Sequence, residues 1–212
     1  MSSLEETLKV CRLFLQQYFG EQDAAPTLPR IGLRLVCMGN AEMTVQGELL
    51  HFLRKNDFNA VSEAGLPGSR RRFDIMVFDK QWKAVVCLVE LKHYSANQDS
   101  KRIPALPKLF LHLNEDSERH NDFPGIAHPL IQIGLFTELL VPTPRVTPDT
   151  HSFYRFLGSY RKRSKTEYDY AGNINSDYAL VKPALSEFPL ADNDAIVKGR
   201  VSYVFRTYRT PE

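Results

Sequence analysis

Two short apolar segments joined by a brief polar link are the feature that most constrains the fold of this chain. Residues 73–78 are apolar except for Asp74, and residues 84–89 form an unbroken apolar run. The intervening residues 80–82 are too few for a helical connection. We therefore expect an antiparallel hairpin with strands at 72–79 and 84–92. The unbroken run in the second strand is typical of a strand that is buried on both faces.

The hairpin brings polar side chains of its two strands together. Side chains alternate along a strand, so Glu90 and Lys92 project from the same face. If residues 80–82 form the loop, the register places Asp74 opposite Leu88, with Glu90 as its diagonal neighbour on that face. A slip of one residue would move Asp74 to the other face. The predicted hairpin thus gathers two carboxylates and a lysine at one point.

Two carboxylates and a lysine at one point destabilise a fold, but they can bind a metal ion and catalyse a reaction. Close carboxylates repel each other, and a hard divalent cation relieves that repulsion. Mg²⁺ is usually held by one or two carboxylates together with water and phosphate oxygens. It lowers the pKa of bound water and stabilises charge on a phosphoryl group, while a lysine can orient the attacking water or neutralise charge in the transition state. The grouping predicts a Mg²⁺-dependent phosphoryl-transfer site in which Mn²⁺ can substitute.

The remaining chain contains further helical and strand patterns. Ser3 and Glu6 form a capping-box pattern ahead of apolar residues at helical spacing, which predicts a helix from about residue 4 to about residue 18. The other expected elements are a helix over 41–55, a strand over 58–63, a mostly irregular stretch over 93–124 with a short element at 106–113, a helix over 129–140 and a strand near 201–206.

Glu48 lies beside the apolar stripe of the predicted helix over 41–55. It follows Val45 by three residues and precedes Phe52 by four, which places it on or next to the buried side. Burying an unpaired charge is costly. We therefore expect Glu48 to add a third carboxylate to the pair on the hairpin.

These residues together resemble the PD-(D/E)xK nuclease superfamily. Asp74, fifteen intervening residues and then Glu90-Leu91-Lys92 are similar to its motif. A helix with a glutamate, a strand, a strand with aspartate and a strand with ExK also follow the order of its core. The resemblance covers about residues 43–141. It implies an α/β, restriction-endonuclease-like core, with a mixed central sheet flanked by helices, that hydrolyses phosphodiester bonds with a metal.

The resemblance also implies roles for individual residues. Asp74, Glu90 and the backbone carbonyl of Leu91 would be metal ligands. Glu48 would be the helix carboxylate and Lys92 the catalytic lysine.

A further similarity lies in the segment that follows. Gln132, in the predicted helix over 129–140, is similar to the first residue of the QxxxY element of RecB-like members. Phe136 replaces the tyrosine of that element, and Phe73 replaces the proline that precedes the aspartate. The chain is then expected to be one domain, with an N-terminal helical segment (1–42), the nuclease core (43–141) and a basic, aromatic C-terminal extension (142–212) packed on it.

Basic residues cluster near this expected site although the net charge is only +2. One cluster immediately precedes the Asp74 strand, and another lies between tyrosines in the extension. Basic side chains bind nucleic-acid phosphates without reading sequence. We expect DNA as the partner, leave RNA open, and consider a second copy of the chain or a partner protein as well. The residues expected to bind nucleic acid are Arg70, Arg71, Arg72, Gln132, Arg161, Lys162 and Arg163.

Other classes of protein find no support in the sequence. There is no GxSxG motif of a serine hydrolase, no GxxxxGK[ST] motif of a P-loop NTPase and no HxxxH spacing of a zinc site. No apolar run approaches 18 residues, and the three cysteines are widely spaced, so we expect a cytoplasmic protein without a membrane segment. The alternatives to an active nuclease are a catalytically silent nuclease-fold protein, which binds nucleic acid or serves as an assembly subunit, and an unrelated α/β protein.

Overall fold

The computed structural model describes residues 3–19, 41–65, 71–95, 105–121, 128–140, 180–181, 186–189 and 196–208. In chain order the elements are α1 (Leu4–Phe19), α2 (Ala41–Lys55), β1 (Asn59–Gly65), β2 (Arg72–Phe78), β3 (Val85–Ser95), α3 (Ala105–Asn121), β4 (Leu130–Leu140), β5 (Leu180–Val181), β6 (Ser186–Pro189) and β7 (Ile196–Tyr208).

The strands form one mixed sheet in the order β1-β2-β3-β4-β7-β5, with β6 also paired to β7. Only β3 and β4 are parallel among these pairs, and α3 connects them. Parallel neighbours need such a crossover, whereas antiparallel neighbours can be joined by a tight loop. The mixed sheet with its helices confirms the expected α/β class.

Helices cover both faces of the sheet. One buried cluster joins α1 and α2 to the sheet and includes Leu15, Leu49, Ile75, Val89 and Ile133. On the opposite face, α3 lies against β4, where Leu109 and Leu113 approach Gly134. A Cβ at Gly134 would lie 2.9 Å from a Leu113 methyl carbon, so the absent side chain permits this close packing. No helix within the described residues is long and apolar enough to cross a membrane.

The predicted helices α1 and α2 are confirmed, and their ends have clear local causes. The Ser3 hydroxyl accepts a hydrogen bond from the Glu6 amide at 3.1 Å, and the Ser3 amide donates to the Glu6 carboxylate at 2.8 Å. Helix α2 ends at Lys55, and Asp57, two residues later, adopts the left-handed conformation (φ 62°) that caps it. The Phe58 amide then donates to the Leu53 carbonyl at 3.1 Å, the pattern of a Schellman cap.

The predicted hairpin is confirmed as β2 and β3, but its register differs by two residues from the expected one. Met76, not Asp74, lies opposite Leu88. One residue of the difference arises because the loop closes on an Asp79–Ala84 hydrogen bond, and the Asp79 carboxylate also accepts from amides within the loop. The other arises from an irregularity after Val77. A two-residue shift keeps every side chain on its face, so the predicted proximity of the carboxylates survives.

The helix predicted over 129–140 is wrong, because this segment is the central strand β4. Residues 130–136 are all buried, since the strand lies between β3 and β7 and is covered on both faces. Such a strand has apolar residues at nearly every position, a pattern that also fits helical spacing.

Helix α3 occupies the stretch that was expected to be mostly irregular. Pro107 falls within its first turn, where a missing backbone N–H is tolerated. The strand expected near residues 201–206 is confirmed as part of β7, which pairs with β4 from Leu130 to Leu140.

Candidate active site

The hairpin and its neighbours place a row of polar side chains across the middle of the sheet. The observed ladder ends with Ile75 of β2 opposite Val89 of β3, so the next residues, Asp74 and Glu90, are neighbours, and Glu90 is the direct partner of Gln132 on β4. Gln132 in turn pairs with Arg206 on β7. Polar residues in adjacent central strands are unusual in a core, so each one requires a partner or a function.

Asp74 is fixed by hydrogen bonds to backbone and side chains. One carboxylate oxygen, Oδ2, accepts from the Leu91 amide at 2.6 Å, and the Asp74 carbonyl accepts from Gln46 Nε2 of α2 at 2.7 Å. Burial raises the pKa of Asp74, although the Leu91 amide, Lys92 and a hydrogen bond with Glu90 oppose that rise. Asp74 and Glu90 therefore interact directly, as the sequence predicted.

Glu90 is almost completely buried, with 5% of its surface exposed. Its Oε1 lies 3.2 Å from Arg71 and its Oε2 lies 3.8 Å from Lys92. Burial first, and then the charge of Asp74, raise the pKa of Glu90 to about 8 despite these two cations. The pair of carboxylates thus holds protons more tightly than ordinary acids do, because its negative charge is not fully compensated.

Lys92 lies between carboxylates of two elements. Its Nζ is 3.8 Å from Glu90 and 3.3 Å from Asp116 on α3. Burial lowers the pKa of Lys92, but the charges of Glu90, Asp116, Glu42 and Asp74 more than offset that effect and the pKa is raised. The side chain is therefore an ammonium ion at neutral pH and acts as a hydrogen-bond donor and positive charge.

Asp116 is a site residue that the sequence did not identify. It is buried and also lies 3.9 Å from Arg71, so it faces both cations of the site. A helix that extends to residue 121 places Leu109, Leu113 and Asp116 on one side. This spacing is the feature of the sequence that could have indicated that Asp116 faces the sheet.

Glu48 does not join the site. It is exposed on α2, so the prediction that it lies on the buried side is wrong. Glu42 is the carboxylate that α2 presents to the site, and its Oε2 accepts a hydrogen bond from the His93 amide at 3.1 Å. Burial raises its pKa, and the charges of Lys92 and Asp74 also act on it. Glu42 precedes the buried Gln46 by one helical turn, which was the signal available in the sequence.

The predicted nucleic-acid-binding residues fall into different environments. Arg71 is inside the site, paired with Glu90 and positioned with its guanidinium 4.8 Å from the Phe73 ring centre. Arg72 is exposed at the start of β2. Arg70 lies outside the described residues, as do Arg161, Lys162 and Arg163 of the extension.

Gln132 is fully buried in strand β4, so the prediction that it contacts nucleic acid is wrong. Its Oε1 accepts from Arg206 Nε at 2.8 Å and from the Ser117 hydroxyl at 3.0 Å, and its Nε2 donates to the Leu113 carbonyl at 2.6 Å. The side chain thereby ties β4 and β7 to α3, directly behind Glu90.

Carboxylates outnumber cations around Asp74. The interacting groups are the carboxylates of Glu42, Glu63, Asp74, Glu90 and Asp116 and the cations of Arg71 and Lys92. A buried excess of negative charge is stabilised by protons or by a divalent cation.

The donor set suits a hard cation such as Mg²⁺. Asp74 and Glu90 supply carboxylate oxygens, and a strand residue projects its N–H and C=O to the same side. The Leu91 carbonyl therefore lies on the side where its amide meets Asp74. Two carboxylates and a carbonyl match a site that also keeps several waters. Within the described ranges, no group of three or more His, Cys, Asp and Glu side chains is arranged as a metal cage.

Comparison of the chain with protein-family models, with curated proteins and with solved structures finds no match.

Proposed function

We propose that this chain is a metal-dependent endonuclease that hydrolyses phosphodiester bonds, with DNA as the expected substrate, through a site of the PD-(D/E)xK type. The observation that carries the proposal is geometric: Asp74 lies beside the buried Glu90 on the neighbouring strand and accepts from the Leu91 amide, and the Lys92 ammonium is 3.8 Å from Glu90. Burial and then the charge of Asp74 raise the pKa of Glu90, which supports a role in binding a cation, because a bound cation would stabilise the buried negative charge.

The site residues would have separate roles in hydrolysis: some would hold the metal ion, and Lys92 would act as a hydrogen-bond donor. Mg²⁺ or Mn²⁺, when held by Asp74, Glu90 and the Leu91 carbonyl, would act as a Lewis acid and lower the pKa of a bound water. Lys92, as an ammonium ion, would donate to the attacking water or to a phosphate oxygen as negative charge develops. Asp116 keeps the Lys92 ammonium in place at 3.3 Å.

Glu42 and Arg71 complete the electrostatic setting. Glu42 reaches the site from α2 and anchors the backbone immediately after Lys92 through the His93 amide. Arg71 holds Glu90 Oε1, which leaves Oε2 facing Lys92. Fixed partners of this kind reduce the reorganisation that a catalytic group needs during reaction.

The site also suits a second candidate, a catalytically silent protein that keeps this fold and binds nucleic acid or another subunit. The observation in its favour is that Arg71 and Lys92 already pair with Glu90. Such cations can stabilise buried carboxylates without any metal. The two candidates differ in whether a divalent cation is bound and whether substrate is cut.

The test is cleavage of plasmid and single-stranded DNA with Mg²⁺, Mn²⁺ or EDTA. We expect metal-dependent cutting that falls at least about a hundredfold in Asp74→Asn and Lys92→Met. Glu42→Gln should lower the rate about tenfold, whereas Glu48→Gln removes the same charge from the exposed side of the same helix and should leave the rate unchanged.

Two results would decide against an active nuclease. Cutting that is equally fast in wild type and Asp74→Asn would indicate a contaminating nuclease or a different site. DNA binding without cutting in any metal would support the silent binding protein. Cleavage of RNA substrates under the same conditions shows whether the protein cuts DNA or RNA.

A further inference from the structure

A second group of side chains lies beside the candidate site, where β3 continues past Lys92. The Tyr94 hydroxyl is 2.6 Å from His112 Nδ1, and the Lys108 ammonium lies 5.4 Å from the centre of the Tyr94 ring. All three side chains are partly exposed. The group is therefore built by contacts between β3 and α3 and remains open to solvent.

The positions of this group are set by the same two elements that build the site. Tyr94 follows Lys92 by two residues and projects from the same face of β3, about 7 Å further along the strand. On α3, Lys108, His112 and Asp116 recur every four residues, so they share one side of the helix at steps of about 6 Å. These steps are comparable to the separation of consecutive phosphates along an extended nucleic-acid strand.

The chemistry of the group is that of a hydrogen-bond donor for an anion. If Tyr94 donates to His112 Nδ1, the imidazole carries its proton on Nε2 and can donate there; if Nδ1 donates, the hydroxyl proton of Tyr94 is available. Lys108 adds an ammonium held over the ring face. Within the described part of the chain, neither Lys108 nor His112 forms an ion pair with an acid, and nearby Glu115 is paired with Arg119 at 3.7 Å.

We propose that Lys108, His112 and Tyr94 bind a phosphate of the nucleic-acid strand next to the phosphate that is cleaved. This inference rests on the proposed nuclease function. It adds the path of the bound nucleic acid, which would run from Lys92 toward the C-terminal end of β3. Phosphate contacts of this kind set register and affinity without reading bases.

The test is binding of a fluorescent single-stranded DNA oligonucleotide in EDTA, measured by anisotropy over a range of salt concentrations. We expect Lys108→Gln and His112→Gln each to weaken binding about three- to tenfold. Lys108→Gln removes a cation and should also reduce the slope of log affinity against log salt by about 0.7, whereas His112→Gln removes a neutral hydrogen-bond donor and should leave the slope unchanged. Tyr94→Phe keeps the ring but removes the hydroxyl, and should weaken binding as well. Lys83→Gln changes an exposed lysine at the opposite end of β3 and should change nothing.

The outcomes separate this inference from the function on which it rests. If wild type cuts DNA but the Lys108 and His112 variants bind with wild-type affinity and salt slope, the phosphate site is wrong and the nuclease stands. If wild type neither binds nor cuts nucleic acid, both proposals fail. Thermal unfolding of each variant must match wild type for a loss of binding to count in favour of the site.

Discussion

Replacing Glu90 with glutamine should stabilise the metal-free protein at neutral pH. Glu90→Gln keeps the size of the side chain and removes its charge. Because burial and Asp74 raise the pKa of Glu90 to about 8 from the ordinary value of 4.5, the folded protein holds this proton more tightly than the unfolded chain does. The stabilisation from the bound proton is complete below about pH 4.5 and is lost as the pH rises through about 8.

The size of the effect follows from these two pKa values. Each pH unit between them corresponds to about 1.4 kcal/mol, so Glu90 would destabilise the fold relative to an uncharged side chain by at most roughly 4 kcal/mol at pH 7.5 and by about 1 kcal/mol at pH 5. Relaxation of the site and the lost ion pairs with Arg71 and Lys92 reduce this gain. We expect Glu90→Gln to raise the free energy of unfolding by about 1–3 kcal/mol at pH 7.5.

Urea unfolding in EDTA at several pH values between 5 and 8 measures this difference directly. Glu48→Gln serves as the matched control, because it removes an exposed charge of the same kind. The gain from Glu90→Gln should grow as the pH rises, while the control shows no such trend. A variant that is less stable than wild type at pH 7.5, or a gain that is independent of pH, would show that the folded protein does not raise the pKa of Glu90.

Four further substitutions test the packing, the hydrogen bonds and the ion pairs. Gly134→Ala should lower the free energy of unfolding by about 1 kcal/mol or somewhat more, because its Cβ would lie 2.9 Å from a methyl carbon of the fully buried Leu113 and force that side chain to move. Gly47→Ala on α2 is the matched control; with nothing within 4 Å of its Cβ, it should be neutral or stabilise by up to about 1 kcal/mol in thermal unfolding. Gln132→Leu should reduce stability by about 1–3 kcal/mol in chemical denaturation, because its buried partners lose their hydrogen bonds. Asp116→Asn should lower the pKa of Lys92, as measured by an NMR titration of its Nζ; an unchanged value would exclude the ion pair.

The strand carboxylates were predictable because strand periodicity is robust. Asp74 and Glu90 stay on the same face even though the register shifted by two residues, since two is the period of a strand. The helix carboxylate was harder to predict. Glu42 and Glu48 both flank the apolar stripe of α2, and only the packing of the helix on the sheet decides which flank faces the site.

The largest errors came from segments whose apolar pattern fits two structures. Strand β4 is buried on both faces, so its residues show no alternation that would separate it from a helix. A helix over 129–140 would not pair Gln132 with a strand neighbour, so the network that joins Gln132 to Arg206 could not be foreseen. That contact joins residues 74 positions apart and depends on the order of strands, which no local pattern contains.

Titration of the protein with Mn²⁺ by calorimetry at pH 7.5 measures whether Asp74 and Glu90 hold a divalent cation. Wild type should bind the ion at this carboxylate pair and release protons on binding, because Glu90 is partly protonated at this pH, and Asp74→Asn should abolish or strongly weaken binding. Glu48→Gln should bind like wild type. Absence of Mn²⁺ binding to wild type, or equal binding by wild type and Asp74→Asn, would contradict the assignment of Asp74 and Glu90 as metal ligands.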